Sequence, residues 1–409
     1  MAIVAAARPT VLPTDSTALP RLLAYTQALG LDRYLRRTKR GFTSLTLTLL
    51  WLVLAWRGSG RPAHLAQLHD PLLAALLGTE RLPSPRTLLR SLHSFPARAV
   101  RAAVEASYHA EAPRRVGRVW AAVDAHQLPY WGREQTARMQ KGWSGGYNRR
   151  LRGYRLYLAV DTSTGQIITL LLARGRMRDA RLIALLARRL RALLGAKLAG
   201  LVADCGFTSR ASITALVASG VPFILGFARA APIKRRLAAL SPQQHAALRA
   251  GGAIRLGDCP WDERLRLIAL GARTASDKRG PWVYVTSLRS VGPQALAAQY
   301  RQRWRVEQVI EELKNGHDLD HLVGTRLHPN QVAVGFRLLA RNLAIGQQIR
   351  DAGARPTVIR EPRAFRATHV DGLGTFSVER RTIQLHPLAP ASAAHYRLPW
   401  SHRVVRIAA

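Results

Sequence analysis

Apolar residues recur at helical spacing through residues 19–35, 45–56 and 62–77, the pattern of helices that bury one face on their neighbours. Gly58, Gly60 and the stretch Leu82-Pro83-Ser84-Pro85 interrupt it. Pro85, with Ser84 before it as N-cap, predicts a further short helix over 86–93. Residues 1–112 therefore read as all-helical. The texture changes at Val116. Residues 116–123 form a strand-like run ending in Asp124, and residues 154–160 alternate and end in Asp161. Thr162-Ser163-Thr164-Gly165 is turn material, and 166–173 completes a hairpin. Apolar positions 182, 185, 186, 190 and 193 predict a helix over 179–194, with Asp179 near its start. Residues 198–203 are a wholly apolar strand ending in Asp204, followed by a helix over 210–219 and a strand over 221–227. This order predicts an α/β fold, a mixed sheet flanked by helices.

That rhythm then breaks. Residues 229–250 read as loop and helix. Short strands over 253–256, 265–270 and 282–288, separated by Gly, Pro and Asp turns, predict a small β-rich insertion. Residues 294–315 read as one long, highly charged helix, and Pro329 opens another that runs to about Asp351. Beyond Gly353 the chain is rich in Pro, Arg and His and carries no clear period.

Charge changes the picture. The 409 residues carry 62 Lys+Arg against 24 Asp+Glu, a net charge of +38. Residues 1–118 hold 17 basic and 6 acidic side chains, 119–228 hold 16 and 5, and 229–409 hold 29 and 13. The excess is spread along the whole chain, which points to a polyanionic partner and away from an enzyme of neutral metabolites. The 48% hydrophobic content excludes a disordered basic tail. Two cysteines, Cys205 and Cys259, cannot form a disulfide scaffold or a four-ligand zinc site, so a reduced, cytoplasmic setting is expected. The start, Met1 to Arg8, lacks the pattern of a signal peptide. The apolar run 45–56 contains Thr46 and Thr48 and is well short of the ~20 residues that span a bilayer; no membrane partner is expected.

Candidate chemistry concentrates in three places. On a helical wheel at ~100° per residue, Tyr300 and Lys314 lie within ~20° of Glu307, and Arg303 lies one turn before it. A phenol, a guanidinium, a carboxylate and an ammonium on one face suit a cation held against a phosphate; a solvated helix with an Arg303–Glu307 pair is the alternative. Asp124 and Asp204 each follow an apolar strand, where a carboxylate is poor core material. Three carboxylates from separate elements, at a site that also grips phosphate, describe a two-metal centre for in-line displacement at phosphorus.

The order Asp124, Asp204, Glu307, with Tyr300-x2-Arg303-x3-Glu307-x6-Lys314, resembles the DDE transposases of bacterial insertion sequences, specifically the cut-and-paste group bearing the Y-R-E-K signature. The β-rich insertion before the Glu helix and the turn Ala203-Asp204-Cys205-Gly206-Phe207 are similar as well, and the resemblance covers residues 116–315. It implies an RNase H-like catalytic core in which Asp124, Asp204 and Glu307 hold two Mg2+ ions, with Mn2+ as a substitute. Tyr300, Arg303 and Lys314 would grip phosphates near the cleaved end. The implied reaction is hydrolysis of a DNA strand at the element end, then attack by the new 3′-hydroxyl on the other strand and later on target DNA. Transesterification needs no nucleotide cofactor, and the sequence has no phosphate-binding G-x4-G-K-[S/T] loop. The family often forms a hairpin intermediate and extrudes a base onto an aromatic residue of the insertion; Trp282 is the candidate here, with a buried strand Trp as the alternative.

The resemblance organises the chain into a helical DNA-binding region (1–112), a first part of the catalytic core (113–228), the β-rich insertion (229–291), a second part of the core with the Glu helix (292–352) and a basic C-terminal tail (353–409). The implied partner is double-stranded DNA, at transposon ends and target, in a synapse that requires at least a homodimer, and the implied location is the bacterial nucleoid. Between Tyr130 and Tyr157, Lys141, Arg149, Arg150 and Arg152, with Arg133, Arg138 and Arg155, are interleaved with Trp131, Trp143, Tyr147 and glycines. This reads as a flexible DNA-gripping loop, or else as a hairpin with solvated arginines. The helix over 86–93 is compatible with a recognition helix, or with a plain bundle. Asp161 reads as the cap of its own turn and Cys205 as a small packed residue. His126 and Glu311 are rival contributors to the site. His317-Asp318-Leu319-Asp320-His321 has the residue types of a metal cluster, but follows a helix end, where His commonly satisfies carbonyls. Two other functions stay open: a structure-selective nuclease on the same core, and a non-catalytic DNA-binding protein derived from a transposase.

Overall fold

The computed structural model describes residues 10–35, 42–68, 70–111, 117–133, 139–271, 281–353, 359–389 and 393–408. Val116, Arg138 and the segment Met1 to Arg8, which entered the sequence reading, lie outside the described residues. In chain order, β1 (Leu12–Thr14) precedes α1 (Leu19–Ala28), α2 (Ser44–Trp56), α3 (Pro71–Leu76), α4 (Pro85–Ser91) and α5 (Ala97–Ala110). Then come β2 (Val119–Pro129), β3 (Lys141–Ser144), β4 (Arg149–Asp161), β5 (Ile167–Arg174), α6 (Asp179–Leu194), β6 (Leu198–Ala203), α7 (Arg210–Ser219) and β7 (Phe223–Gly226). After these follow α8 (Ala231–Ala238), α9 (Pro242–Arg249), β8 (Ala253–Cys259), β9 (Asp262–Leu270), β10 (Trp282–Thr286), α10 (Pro293–Arg301), α11 (Trp304–His317) and α12 (Leu327–Ala352). The chain closes with α13 (Pro362–His369), β11 (Gly374–Glu379), β12 (Thr382–Pro387), β13 (Ala394–Leu398) and β14 (Arg403–Ile407).

Two compact units divide the chain. One contains residues 115–128 and 139–310, and the other residues 1–114, 129–138 and 311–409. The division differs from the sequence-based one, since the second part of the core, 292–352, is split at 310.

The first unit is built on a nine-stranded sheet with the path β3-β4-β2-β6-β7-β10-β9-β8, and β5 pairs with β4. β2, β6 and β7 are mutually parallel, and β4–β5 is an antiparallel hairpin. The parallel strands are nearly all apolar because helices leave little of them to solvent; Ala121 to Val123 and Leu201 to Ala203 are fully buried. The helix α6 follows the predicted bounds, but it buries Ile183, Leu186, Ala187, Leu190 and Leu194, a face rotated from the predicted one, and leaves Leu185 exposed. The insertion expected over 229–291 does not form a sheet of its own. β10 pairs antiparallel with both β7 and β9, and β9 with β8, so these strands extend the core sheet at its edge. The expected DNA-gripping loop is also more regular than anticipated: β3 pairs with the start of β4, with Lys141 opposite Arg152 and Trp143 opposite Arg150.

In the second unit, α2 is apolar around its whole circumference, and Thr46 to Trp56 are all buried, as expected of a core helix too short to span a bilayer. Trp51 stacks on Phe336 of α12, with ring centroids 6.3 Å apart, and Phe95 meets the same ring edge-on at 5.2 Å. The N-terminal region is helical but not all-helical: β1 pairs with β11 and joins a five-stranded sheet ordered β1-β11-β12-β14-β13. That sheet is made by the segment expected to be a basic tail. Its strands were illegible because they are short and mostly half-exposed, so no apolar period marks them. No helix among the described residues is long and apolar enough to cross a membrane.

Candidate active site

Register brings the first two carboxylates together. β2 and β6 run parallel, and their pairing ends at Val123 opposite Ala203. Asp124 and Asp204 are each the next residue, on neighbouring strands that lie ~4.8 Å apart. β6 ends at Ala203 as expected, whereas β2 does not end at Asp124 but continues to Pro129. A parallel pair can release one strand while the other continues, which is not visible in either strand alone. Asp124 Oδ1 accepts from the amide of Ala125 at 2.8 Å, and Asp204 Oδ1 accepts from Gly206 at 2.9 Å.

These carboxylates carry an unfavourable charge balance. Burial, and then the field of Asp204, push Asp124 up to about 6, against the opposing pull of Arg303; Glu307 adds to the rise. Burial also raises Asp204, with Asp179 adding to it and Arg303, the Gly206 amide and Arg155 opposing it. Two adjacent carboxylates that hold protons this strongly favour a neighbouring cation.

The third candidate arrives differently from the prediction. The expected single helix over 294–315 is two helices, α10 and α11, separated at Gln302 and Arg303. The amides of Gln302, Arg303, Arg305 and Val306 each reach back three residues, to Gln299, Tyr300, Gln302 and Arg303. Such tight turns advance differently from an α-helix, so the wheel that put Tyr300 in phase with Glu307 does not apply. Neither Gly nor Pro marks the break.

Tyr300 reaches the site by another route. Its hydroxyl lies where a Cβ on Gly226 would be 3.2 Å away, and the same Cβ would be 2.7 Å from the amide nitrogen of Cys205. The phenol therefore packs against the turn that follows Asp204, and its ring meets Tyr284 at 4.0 Å between centroids. Burial raises Tyr300 to about 12, with Asp204 reinforcing and Arg303 opposing the shift. Arg303 lies over the Tyr300 ring at 5.9 Å and donates to Glu307 Oε1 at 2.5 Å. Its buried Nε has no hydrogen-bond partner among the described residues. Burial works against the Arg303 charge but is outweighed by Tyr300, Glu307 and Asp124, which hold it firmly protonated.

Asp124, Asp204, Tyr300, Arg303 and Glu307 thus share one electrostatic neighbourhood within the first unit. Glu307 is exposed and committed to Arg303, and among the described residues no three acidic, imidazole or thiol groups are grouped as one ion would need them. Lys314 lies seven residues along α11, in the part of the chain assigned to the other unit, and pairs with Glu311 at 2.9 Å.

The sequence reading missed one acid. Asp179 Oδ2 would be 3.3 Å from a Cβ on Gly206, and Asp204 Oδ1 would be 3.1 Å from it, so the two carboxylates flank one glycine. Asp179 is gripped at both oxygens by Arg155, at 2.6 Å each, and the Tyr157 hydroxyl donates to its Oδ1 at 3.0 Å. Its position at the start of a helix explained it too easily; no local pattern tells that this helix start faces the end of β6.

Lys141, Trp143, Arg150 and Arg152 share one face of the β3–β4 ribbon as two directly opposed pairs, while Arg149 faces the other way, opposite Ser144. Trp282 begins β10 and is 40% exposed, not a buried strand Trp; it shares a strand face with Tyr284, two residues on. Asp161 caps its own turn, accepting from the Ser163 amide at 2.8 Å. Cys205 is exposed, not packed. In the second unit, His317 is buried with Nδ1 3.0 Å from the Ala55 carbonyl, and Asp318 pairs with His321 and with Arg61. These contacts occupy both groups structurally. The predicted short helix is α4, in which Ser84 accepts from the Thr87 amide at 3.2 Å and Leu88 is buried.

Residues 118–343, more than half of the chain, match the family model described as "Transposase DDE domain". Among solved structures the chain is similar to one described as "Cryo-EM structure of piggyBac transposase synaptic complex with hairpin DNA (SNHP)", at 12% identity and a TM-score of 0.47, covering 88% of this chain and 82% of that one. No curated protein matches the chain.

Proposed function

Because the chain belongs to the transposase DDE-domain family, it is a DNA transposase, and we propose that it cuts and rejoins DNA at the ends of an insertion sequence, with Asp124, Asp204 and Glu307 as its acidic set. The observation that carries this reading is the placement of Asp124 and Asp204 on adjacent parallel strands, each holding its proton more tightly than an ordinary carboxylate. Such a pair fits divalent cations. Asp124, Asp204 and Glu307 would hold two Mg2+ ions, or Mn2+ in their place, which when bound activate the attacking oxygen and stabilise the leaving one. Engagement requires Glu307 to exchange Arg303 for the cation, which leaves the guanidinium available to a phosphate oxygen.

The remaining roles follow from position. Arg303 and Tyr300 hold the phosphate beside Asp204, one by charge and one by the phenol hydrogen. Lys314 supplies a point charge farther along the strand. Lys141, Arg149, Arg150 and Arg152 on the β3–β4 ribbon contact the DNA backbone. Trp282, exposed at the start of β10, offers a stacking platform for an extruded base. The reaction is hydrolysis of one strand followed by transesterification, so it consumes no nucleotide. Two DNA ends brought together require a homodimer, and the bacterial cytoplasm, at the nucleoid, is the setting.

The test is strand cleavage and joining on element-end DNA with Mg2+, comparing the wild type with Asp124→Ala, Asp204→Ala and Glu307→Ala. Each variant is expected to lose cutting while keeping DNA affinity. Normal cleavage by Glu307→Ala removes it from the acidic set, and normal cleavage by Asp124→Ala overturns the whole assignment.

A further inference from the structure

A cavity of about 410 Å³ opens beside Gly206, at the foot of the β3–β4 ribbon. Five cationic side chains line it, Lys141, Arg150, Arg155, Arg176 and Arg178, against a single carboxylate, Asp179. That carboxylate is already neutralised by the two-point grip of Arg155. Lys141, Arg150, Arg176 and Arg178 are exposed and have no carboxylate partner among the described residues. Like charges gathered around a concavity repel one another unless an anion occupies it. Trp143 lines the same wall and is 52% exposed, which leaves a large aromatic ring accessible to a ligand.

We propose that this cavity is a binding site for single-stranded DNA, taking one unpaired nucleotide with its base on Trp143 and its phosphates on Arg176 and Arg178. Size and chemistry both select that ligand. A space of this volume holds a nucleotide, and basic groups beside an aromatic side chain are the means by which proteins hold unpaired strands. The floor is rigid. Arg155 donates to both oxygens of Asp179 and, through Nη1, to the Trp143 carbonyl at 3.1 Å. This ties the ribbon that carries Trp143 to the helix start beside Asp204. A strand leaving the acidic pair passes Gly206 and enters the cavity directly, so the site holds the unpaired strand next to the bond being cut. The inference rests on the catalytic reading above for the source of the strand, but not for the binding itself.

The experiment measures affinity of the full chain, without metal, for a labelled single strand of about 10 nucleotides and for a blunt duplex of the same sequence. Arg176→Ala/Arg178→Ala is expected to weaken single-strand binding roughly 10-fold or more and to flatten its salt slope by ~1.4, at ~0.7 per phosphate contact. Duplex binding should change less than about threefold. Trp143→Ala should cost ~5- to 150-fold on the single strand, the equivalent of one stacked base, with the salt slope unchanged, and Trp143→Phe should restore most of it. Equal losses on both DNAs, or none on the single strand, overturn the proposal. Asp124→Ala separates the two readings. If it still cleaves, the catalytic assignment fails, and the single-strand and duplex affinities of the arginine and tryptophan variants decide the cavity independently. If it is inactive while Arg176→Ala/Arg178→Ala binds single strands normally, the cavity proposal fails alone.

Discussion

At the scale of single residues, the site is governed by how few cations face its carboxylates. Asp124 is held near 6 by burial and by Asp204, with Arg303 the main side-chain charge opposing the rise. Asp124→Asn, of nearly the same shape, is therefore expected to fold and bind DNA but to lose strand cleavage by on the order of 10²–10³-fold, the usual cost of one preorganised electrostatic group. Single-turnover cleavage on pre-bound DNA checks this. Arg303 is both the Glu307 partner and the cation that most opposes the upward shift of Asp204. Arg303→Ala should lower cleavage and end affinity together, by ~10²-fold in cleavage. Arg303→Lys should recover only part, since an ammonium cannot contact Glu307 and a phosphate with the geometry of a guanidinium. Full recovery by lysine would show that charge alone matters there. Asp124 and Asp204, which the sheet makes neighbours, could be picked out of the sequence because each follows an apolar stretch of strand, where a carboxylate stands out. Asp179 could not, because an acid in the first turn of a helix is already explained by the helix dipole.

At the scale of elements, close approach of backbone to backbone sets the site. β7 passes the turn after Asp204 at Gly226, where a Cβ would be 2.7 Å from the Cys205 nitrogen and 3.2 Å from the Tyr300 hydroxyl. Gly226→Ala must displace that turn. It is expected to cost ~1–3 kcal/mol of stability, as overpacking does, and to reduce cleavage in the fraction that remains folded; thermal unfolding and specific activity test the two effects separately. Helix α11 ends in a pH-sensitive contact. Its His317 is buried, and burial, with Arg341 next, lowers it to about 3. Nδ1 donates to the Ala55 carbonyl, a contact that opposes the shift, so it is burial that keeps the ring neutral in the folded chain. The unfolded chain binds the proton first, so stability is intact above ~6.5 and declines as pH falls from there toward 3, by at most ~1.4 kcal/mol per pH unit. Urea unfolding at pH 7 and pH 5 should show this loss, and His317→Gln should show less of it. An equal loss in the variant would place the acid sensitivity elsewhere.

At the scale of the whole molecule, the net charge of +38 is a statement about partners. Neutralising Z phosphates releases their counterions, so DNA affinity falls with log salt at a slope near −0.9Z for duplex DNA. With six or more phosphate contacts, affinity should drop by ~10³-fold or more between about 50 and 200 mM salt. A slope close to zero in a filter-binding titration would contradict a role for this charge in DNA retention. The mutual repulsion of so many basic groups in the absence of a polyanion is moderated by screening.

Periodicity, turn residues and charge balance are local properties, and the sequence by itself determined what depends on them. That includes α6, α7 and β6 at their observed bounds, the β4–β5 hairpin, the buried character of α2, the turn capped by Asp161 and the polyanionic partner. The tertiary structure alone decided which distant segments pair. It placed β2 beside β6 in a register that sets Asp124 next to Asp204, added the insertion strands to the core sheet, recruited β1 to the C-terminal strands and brought Asp179 against Asp204. It also broke the Glu helix at Gln302, with no Gly or Pro to announce it. The reason is common to all of these: strand partners and close approaches are chosen by packing between residues far apart in the chain, and a pattern within one segment records only which face it must bury, not what it will bury it against.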